Sequence, residues 1–141
     1  MIEFRIEVSD AEIEKFIQNN LGEEDLKRVM GKCCALVERS AKELVPKKTG
    51  ALARSITSEV NVDDNKVEGI IYTPLEYAPY VEYGTGKWAE NGNGRQTPWA
   101  YYDEKTGELI WTAGQHPQPY MRPALEENRE EILRLIKEEL F

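Results

Sequence analysis

The chain opens with alternating apolar and charged residues. Ile2, Phe4, Ile6 and Val8 are each separated by one charged side chain, and this period of two predicts a β-strand with one face in solvent. Residues 9–12 then form a capping box, SDAE, which favours the start of a helix. We therefore predict a strand followed by a short helix within residues 1–22.

A longer helical pattern covers residues 23–44. Its apolar residues recur at steps of three and four, as expected for a helix with one buried face: Leu26, Val29, Met30, Cys33, Val37, Ala41 and Leu44. Pro46 cannot continue a helix, and Val45 before it is biased towards extended backbone. We predict one helix with a core-facing stripe that ends near Leu44.

Two further stretches have the pattern of β-hairpins. Residues 56–62 and 67–73 are strand-like and are joined by a polar turn, DDNK at 63–66. Further on, Trp99–Asp103 and Glu108–Thr112 flank a short glycine-containing turn. We expect the second hairpin to lie in a segment, residues 87–115, that contains all three tryptophans.

The last part of the chain predicts a second amphipathic helix. A proline-punctuated stretch, residues 116–123, leads into it, and Pro123 suits the first helical turn. The inner face of this helix is expected to contain Ala124, Leu125, Asn128, Ile132, Leu135, Ile136 and Leu140.

Composition indicates one folded domain that spans residues 1–141. Apolar residues make up 40% and charged residues 31% of the chain, which is typical of a soluble globular protein. No apolar run reaches the roughly 18–20 residues of a membrane span, and the charged N-terminal strand does not resemble a signal peptide. We therefore expect a reducing compartment and no membrane partner.

The net charge of −8 disfavours a protein that grips nucleic acid by neutralising phosphates. An acidic surface repels a phosphate backbone, however, so it suits a protein past which DNA moves without specific binding.

The sequence contains few candidates for catalysis. His116 is the only histidine, and Cys33 and Cys34 are adjacent in a helical pattern, so a metal site or a vicinal-thiol switch is a minor alternative to buried thiols. Glu76 and Glu82 could form an acid/base pair, but 26 acidic residues make such a pair common by chance. We predict no catalytic, cofactor-binding or metal site.

A tyrosine-rich turn, residues 77–86, precedes the tryptophan-containing segment. It reads YAPYVEYGTG, and its tyrosines recur every three residues, as on one side of a helical or 3₁₀ turn. The glycines that follow do not match a phosphate-binding loop. Aromatic residues outside the core are typical of interfaces, so the pattern favours binding over catalysis.

Three blocks resemble a known family. Residues 45–56 read VPKKTGALARSI, residues 77–85 read YAPYVEYGT, and residues 119–125 read PYMRPAL. In this order they resemble the small tail-completion or head–tail joining proteins of long-tailed phages and prophages, over about residues 24–141. The strand and short helix of 1–22 are an extension to that pattern, and residues 87–115 are an inserted aromatic loop or hairpin.

The resemblance implies an α+β fold: an antiparallel sheet of about four strands against the long helix and the C-terminal helix. It implies a non-enzymatic virion protein that forms a ring at the neck and is assembled in the bacterial host cytoplasm. Its expected partners are its own copies, the phage connector and the tail-tube or tail-terminator proteins, and in isolation we expect a monomer. The candidate assembly residues are Tyr77, Tyr80, Glu82, Tyr83, Gly84, Thr85, Trp88, Trp99, Trp111, Pro119, Tyr120, Arg122 and Pro123.

Two other hypotheses stay open at this stage. One is a hydrolase that uses Glu76 or Glu82 with His116. The other is a prophage-encoded regulator that binds a host protein through the tryptophan-containing segment. For the tyrosine-rich turn itself, we expect residues 77–85 to lie beside residues 119–123 and to anchor the inserted segment, whose aromatic tip would meet a neighbour.

Overall fold

A computed structural model of the chain describes residues 2–8, 22–47, 50–62 and 66–140. The strands are β1 (Ile2–Val8), β2 (Thr57–Val62), β3 (Val67–Thr73), β4 (Trp99–Asp103) and β5 (Glu108–Thr112). The helices are α1 (Glu23–Leu44), α2 (Ala51–Ser55), α3 (Ala78–Tyr83) and α4 (Met121–Leu140), with a 3₁₀ turn at Gly86–Trp88. The predicted short helix after Val8, the turn at 63–65 and two residues of the first block, Lys48 and Thr49, lie outside the described residues.

The main sheet has three antiparallel strands in the order β1–β3–β2. Ile2 pairs with Thr73 at one end of β1, and Val8 pairs with Val67 at the other. The central strand β3 is buried along almost its whole length, as expected for a strand with a neighbour on each side. Its buried Glu68 is neutralised by ion pairs with Arg5 and Lys66, at 2.7 and 2.8 Å.

Helix α1 packs on this sheet through the predicted stripe, with two differences in detail. Leu44 was expected to be buried but is 39% exposed, whereas the next residue, Val45, is 2% exposed. The helix ends at Leu44, and the extended backbone of Val45 before Pro46 turns the Val45 side chain into the core. Cys34, which we had not placed on the stripe, is also buried.

Helix α1 approaches β3 closely at Gly69. A Cβ atom on Gly69 would lie 2.4 Å from Sγ of Cys34 and 2.9 Å from Sδ of Met30. The two thiols are therefore core groups, and burial raises the pKa of Cys33 to about 11 and that of Cys34 to about 12. Protonated buried thiols are poor nucleophiles, so the geometry does not support a vicinal-thiol switch.

Replacing Gly69 by alanine should destabilise the protein by roughly 2 kcal/mol, because the added methyl group overpacks the contact between helix and sheet. Urea unfolding measures the change. Gly31→Ala is the control, since its Cβ would meet nothing within 4 Å and alanine stabilises a helix interior by about 0.5–1 kcal/mol. Combining Gly69→Ala with Cys34→Ala removes the Sγ contact, so the double variant should lose less stability than the sum of the two single changes. Simple additivity would contradict the proposed contact.

Helix α4 packs against α1 through the predicted inner face. Ala124 and Ile132 are buried, and Asn128 donates hydrogen bonds to Oγ of Ser40 and to the carbonyl of Ala124, both at 2.7 Å. Near the end of α4, Glu139 forms an ion pair with Lys32 of α1 at 2.7 Å. The two long helices therefore pack against each other, and α1 is the one of the two that packs extensively on the sheet.

The α+β class predicted from the sequence is confirmed. The long helix has the predicted bounds of Glu23–Leu44, and both hairpins are present. The strands of the described residues are divided between two sheets, because β4 and β5 pair with each other and do not join the three-stranded sheet.

Candidate assembly site

The first sequence block, residues 45–56, is hydrogen-bonded to the end of β3, a few residues before the second block begins at Tyr77. Leu52 and Ile56 are buried in the core. Ser55 Oγ lies 2.6 Å from Oγ1 of Thr73 and donates to the carbonyl of Leu52 at 2.7 Å. Thr73 is fully buried, so this hydroxyl pair satisfies polar atoms that water does not reach. The hydroxyl pair thus joins the end of α2 to the end of β3, where the chain leaves the sheet.

The Glu82 carboxylate joins the second block to the third. Glu82 lies on α3 and is fully buried. Its Oε2 accepts hydrogen bonds from the N–H groups of Tyr120 and Met121, and its Oε1 accepts from the N–H of Arg122 at 2.8 Å. These amides stand at the start of α4, where they have no partner within the helix and the helix dipole favours an anion. A side chain 40 residues away in sequence thus caps the C-terminal helix.

Arg122 completes the charge arrangement around Glu82. Its Nε donates to Glu82 Oε1 at 3.2 Å, and one terminal nitrogen donates to the Glu82 carbonyl at 2.9 Å. The guanidinium also forms a two-point ion pair with Glu90, at 2.7 and 3.0 Å, and lies over the ring of Tyr83 at 4.7 Å. Hydrogen bonding between these partners raises the pKa of Arg122 and lowers the pKa of Glu90. Arg122 thus links the buried carboxylate of Glu82 to the exposed carboxylate of Glu90.

Tyr120 secures the same contact from its other side. Its side chain is fully buried, and its hydroxyl donates to the carbonyl of Ala78 at 3.0 Å. Burial raises the pKa of Tyr120, so the phenol stays protonated and able to donate. The N–H of Gln118 donates to the carbonyl of Val81 at 2.8 Å. We call this contact between residues 78–83 and 118–122 the motif junction.

The motif junction revises the role of several candidate residues. Glu82 and Tyr120 are fully buried within the chain, so their side chains stabilise the fold and are not available to a partner. The same burial removes Glu82 from the proposed acid/base pair, because its oxygens are already occupied by amide and guanidinium donors. Of the three tyrosines of the second block, Tyr77 and Tyr80 are exposed, at 44% and 59%.

The inserted segment, residues 87–115, which we call the arm, is closed at its base by backbone hydrogen bonds. The N–H of Thr85 donates to the carbonyl of Gln115 at 3.0 Å, and the N–H of Gln115 donates to Oγ1 of Thr85 at 2.9 Å. The N–H of Lys87 donates to the carbonyl of Ala113 at 3.1 Å. The two ends of the arm therefore lie next to each other, as predicted, and hydrogen bonds join them where the arm meets the domain.

Two aromatic rings and three glycines pack at this base. The Trp88 and His116 rings stack with centroids 3.9 Å apart, so His116 has a packing contact. A Cβ on Gly86 would lie 2.1 Å from the Ala113 carbonyl oxygen, and one on Gly94 would lie 1.9 Å from the Gly86 oxygen. A Cβ on Gly114 would similarly lie 2.1 Å from the Thr85 oxygen. The backbone segments at the base can approach each other this closely only where side chains are absent.

The hairpin of the arm exposes large apolar side chains. Ala100 is opposite Trp111 and Tyr102 is opposite Leu109, so these side chains share one face, because directly paired residues project to the same side of a hairpin. Tyr102, Leu109 and Trp111 are 65%, 63% and 68% exposed. We call these three residues the hairpin face. Trp99 lies on the opposite face, so the two tryptophans of the hairpin do not act together.

A groove lies between the motif junction and the start of the arm. It has a volume of about 660 Å³. Its lining, in which apolar and small residues predominate, consists of Pro79, Tyr80, Tyr83, Gly84, Thr85, Gly86, Ala89, Glu90, Asn91, Asn93 and Gly94. Tyr80, Tyr83, Gly84 and Thr85 of the candidate set therefore meet in one concave surface.

The remaining candidates are less closely grouped. Trp88 is 38% exposed at the arm base. Pro119 lies within the motif junction, and Pro123 directly follows it. Sequence reasoning missed Glu90, the second carboxylate on Arg122, and the exposed residue Leu109. The period of two within the hairpin strands could have identified the latter, whereas no local signal pairs Glu90 with Arg122.

Within the described ranges, no group of histidine, cysteine and acidic residues has the arrangement of a metal site. Among the same residues, no helix is long and apolar enough to cross a membrane.

Comparison with known families identifies the class of protein. A family model described as a tail component of bacteriophage HK97 matches residues 10–84, just over half of the chain. The chain belongs to this HK97-gp10-like family. The match begins within the segment that we had assigned to an N-terminal extension, and it ends at Gly84, immediately before the arm. No curated protein and no solved structure is significantly similar to the chain.

Proposed function

We propose that this tail component acts at the head–tail junction, where copies of the chain form a ring that completes the tail or joins it to the head. The observation that carries the proposal is the motif junction, which holds an exposed aromatic arm on a closed base. A buried carboxylate that caps α4 and binds Arg122 makes that base rigid. Rigid presentation of exposed aromatic side chains suits a protein whose role is assembly.

The charge of the chain fits a conduit for DNA. With a net charge of −8, a ring of several copies would present an acidic or neutral channel that repels phosphate and lets DNA pass without specific binding. The other partners in this proposal are the connector on the head side and the tail-tube or tail-terminator protein. The protein would act in the virion after assembly in the bacterial cytoplasm.

The proposal includes no enzymatic activity. Glu82 has a structural position in the motif junction, and His116 stacks on Trp88. The Glu82 oxygens already accept hydrogen bonds from amide and guanidinium donors, so Glu82 is not free to act as a general acid or base.

Deleting the coding sequence from a phage or prophage that carries it tests the proposal. We expect DNA-filled heads and separate tails in electron micrographs, and joined virions once a plasmid supplies the wild-type chain. Normal virions after deletion would refute the assignment to the head–tail junction.

A second variant separates assembly from catalysis. Glu76→Gln combined with His116→Phe removes both remaining acid/base groups and keeps an aromatic ring against Trp88. We expect this variant to restore the titre of infectious phage as fully as the wild-type chain. A large loss of titre with a folded protein would favour the hydrolase hypothesis.

A further inference from the structure

The hairpin face is a contiguous exposed apolar patch of the size class that is often functional in a monomer. Its three side chains are about two-thirds exposed, which corresponds to an apolar area on the order of 400 Å². An isolated two-stranded hairpin is only marginally stable in water, and within the described part of the chain no further strand pairs with β4 or β5. Covering this face would both remove apolar surface from water and support the hairpin.

The groove has the complementary shape and chemistry. Its volume of about 660 Å³ is several times the roughly 150 Å³ that holds a benzene ring in a protein cavity, so it can accept more than one large side chain. Tyr80 is 59% exposed at its wall. A flat aromatic wall beside small residues is suited to stacking against tyrosine or tryptophan.

Charges beside the two surfaces are also complementary. Lys87 and Arg95 directly follow Gly86 and Gly94, two groove residues in contact with each other. Both cations are exposed and, among the described residues, neither forms an ion pair with a carboxylate. The tip of the hairpin carries Asp103, Glu104 and Glu108 with one lysine. The tip is therefore acidic, and two cations adjoin the groove in sequence, with Lys87 Nζ 4.5 Å from the centroid of the Trp88 ring and the Arg95 guanidinium 5.8 Å from that of the Trp99 ring.

We propose that the hairpin face of one copy docks in the groove of the next copy, with the acidic hairpin tip beside Lys87 and Arg95. This inference rests on the proposed ring and specifies the surfaces through which its copies meet. The two surfaces are unlike and belong to the same chain, so the contact is head-to-tail and can repeat from copy to copy until a ring closes. The hairpin face alone provides about half of the roughly 800 Å² per partner of a standard interface, and the groove edge adds to it.

Cross-linking within assembled virions tests the contact directly. Asn93→Cys places a thiol in the groove lining, and Glu104→Cys places one at the hairpin tip. The native thiols are a silent background, because both are buried and protonated. With a short bismaleimide, the double variant should give a ladder of dimers, trimers and larger species. Each single variant should give no ladder.

Charge reversal tests the specificity of the contact. Lys87→Glu with Arg95→Glu should reduce phage titre at least tenfold, and Glu104→Lys with Glu108→Lys should do the same. All four changes in one chain should restore the titre. The control combines the first pair with Glu126→Lys and Glu127→Lys, two exposed positions on α4, and it has the same net charge but should not restore assembly.

The contribution of apolar packing is measured with Trp111→Ala. We expect loss of the cross-linked ladder and a titre at least tenfold lower, because a central tryptophan often dominates an interface. Leu133→Ala, which truncates another exposed apolar residue, 58% exposed on α4, should leave both unchanged.

The outcomes separate this inference from the proposed function. If deletion of the gene blocks joining but the double-cysteine virions assemble without a ladder, copies meet through other surfaces and only the inference fails. If the four-change chain stays defective, or if the control restores assembly equally well, the inference also fails. If deletion leaves normal virions, the proposed function itself fails.

Discussion

Replacing Glu82 by glutamine should lower the free energy of unfolding by up to about 3–5 kcal/mol, the typical cost of removing one partner of a fully buried ion pair, because Glu82 is fully buried although the Arg122 side chain is 36% exposed. Glutamine presents an NH₂ group to a site built from donors: the N–H groups of Tyr120 and Arg122 and the Arg122 guanidinium. Some of these donors would then be buried without an acceptor, and each such group costs about 1–3 kcal/mol. Because domains are stable by only about 5–15 kcal/mol, the loss would be a large part of the total.

Urea unfolding of the purified chain measures this loss. Glu90→Gln is the matched control, since it removes the other carboxylate of Arg122 at an exposed position, where water and salt screen an ion pair. We expect the control to lower the unfolding midpoint far less than Glu82→Gln does. Equal effects would show that the buried carboxylate does not support the motif junction.

Replacing Gly86 by alanine should open the base of the arm. Gly86 has a φ of 61°, a conformation that costs an L-residue about 1–2 kcal/mol. In addition, its Cβ would lie 2.1 Å from the Ala113 oxygen and 2.8 Å from Cα of Gly114. Both contacts are with backbone, so the base must separate, and we expect a total cost above about 3 kcal/mol for closing it.

The control variant Gly92→Ala separates the cost of the left-handed backbone conformation from the cost of the steric contact. Gly92 has a φ of 73°, but a Cβ there would meet nothing within 4 Å. Hydrogen exchange should show faster exchange of the Thr85 and Lys87 amides in Gly86→Ala than in Gly92→Ala, while amides of β3 keep their protection in both. Unchanged exchange at Thr85 and Lys87 in Gly86→Ala would contradict the close contact at the arm base.

Most of the secondary structure could be predicted from the sequence, because local periodicity reports which face of an element is buried. The long helix ends at Leu44 as predicted, and both hairpins form from the predicted strands. The exchange of Leu44 and Val45 at the helix end was not predictable from periodicity. It depends on the backbone turn after the helix, which places the side chain of Val45 inward.

The candidate site was predicted only in outline. The blocks at 77–85 and 119–125 were expected to meet, and they do. Their residues were expected to face a partner, yet Glu82 and Tyr120 are buried inside the chain. The local sequence around a glutamate or a tyrosine does not show whether its side chain is buried or exposed. Burial of a polar side chain depends on whether donors or acceptors from residues distant in sequence hydrogen-bond to it.

By itself, the sequence determined the α+β class, the bounds of the long helix, the aromatic arm and the blocks that mark the family, since all of these depend on short-range patterns. Only the tertiary structure decided that the Glu82 side chain caps α4 from 40 residues away in sequence. It likewise decided that the Cys34 side chain packs where Gly69 has none, and that Gly86 and Gly94 contact each other in the wall of a groove. These features are contacts between elements that are distant in sequence. The free energy of each contact depends on paired hydrogen-bond donors and acceptors, on paired charges and on close packing, and these exist only once the elements are packed together.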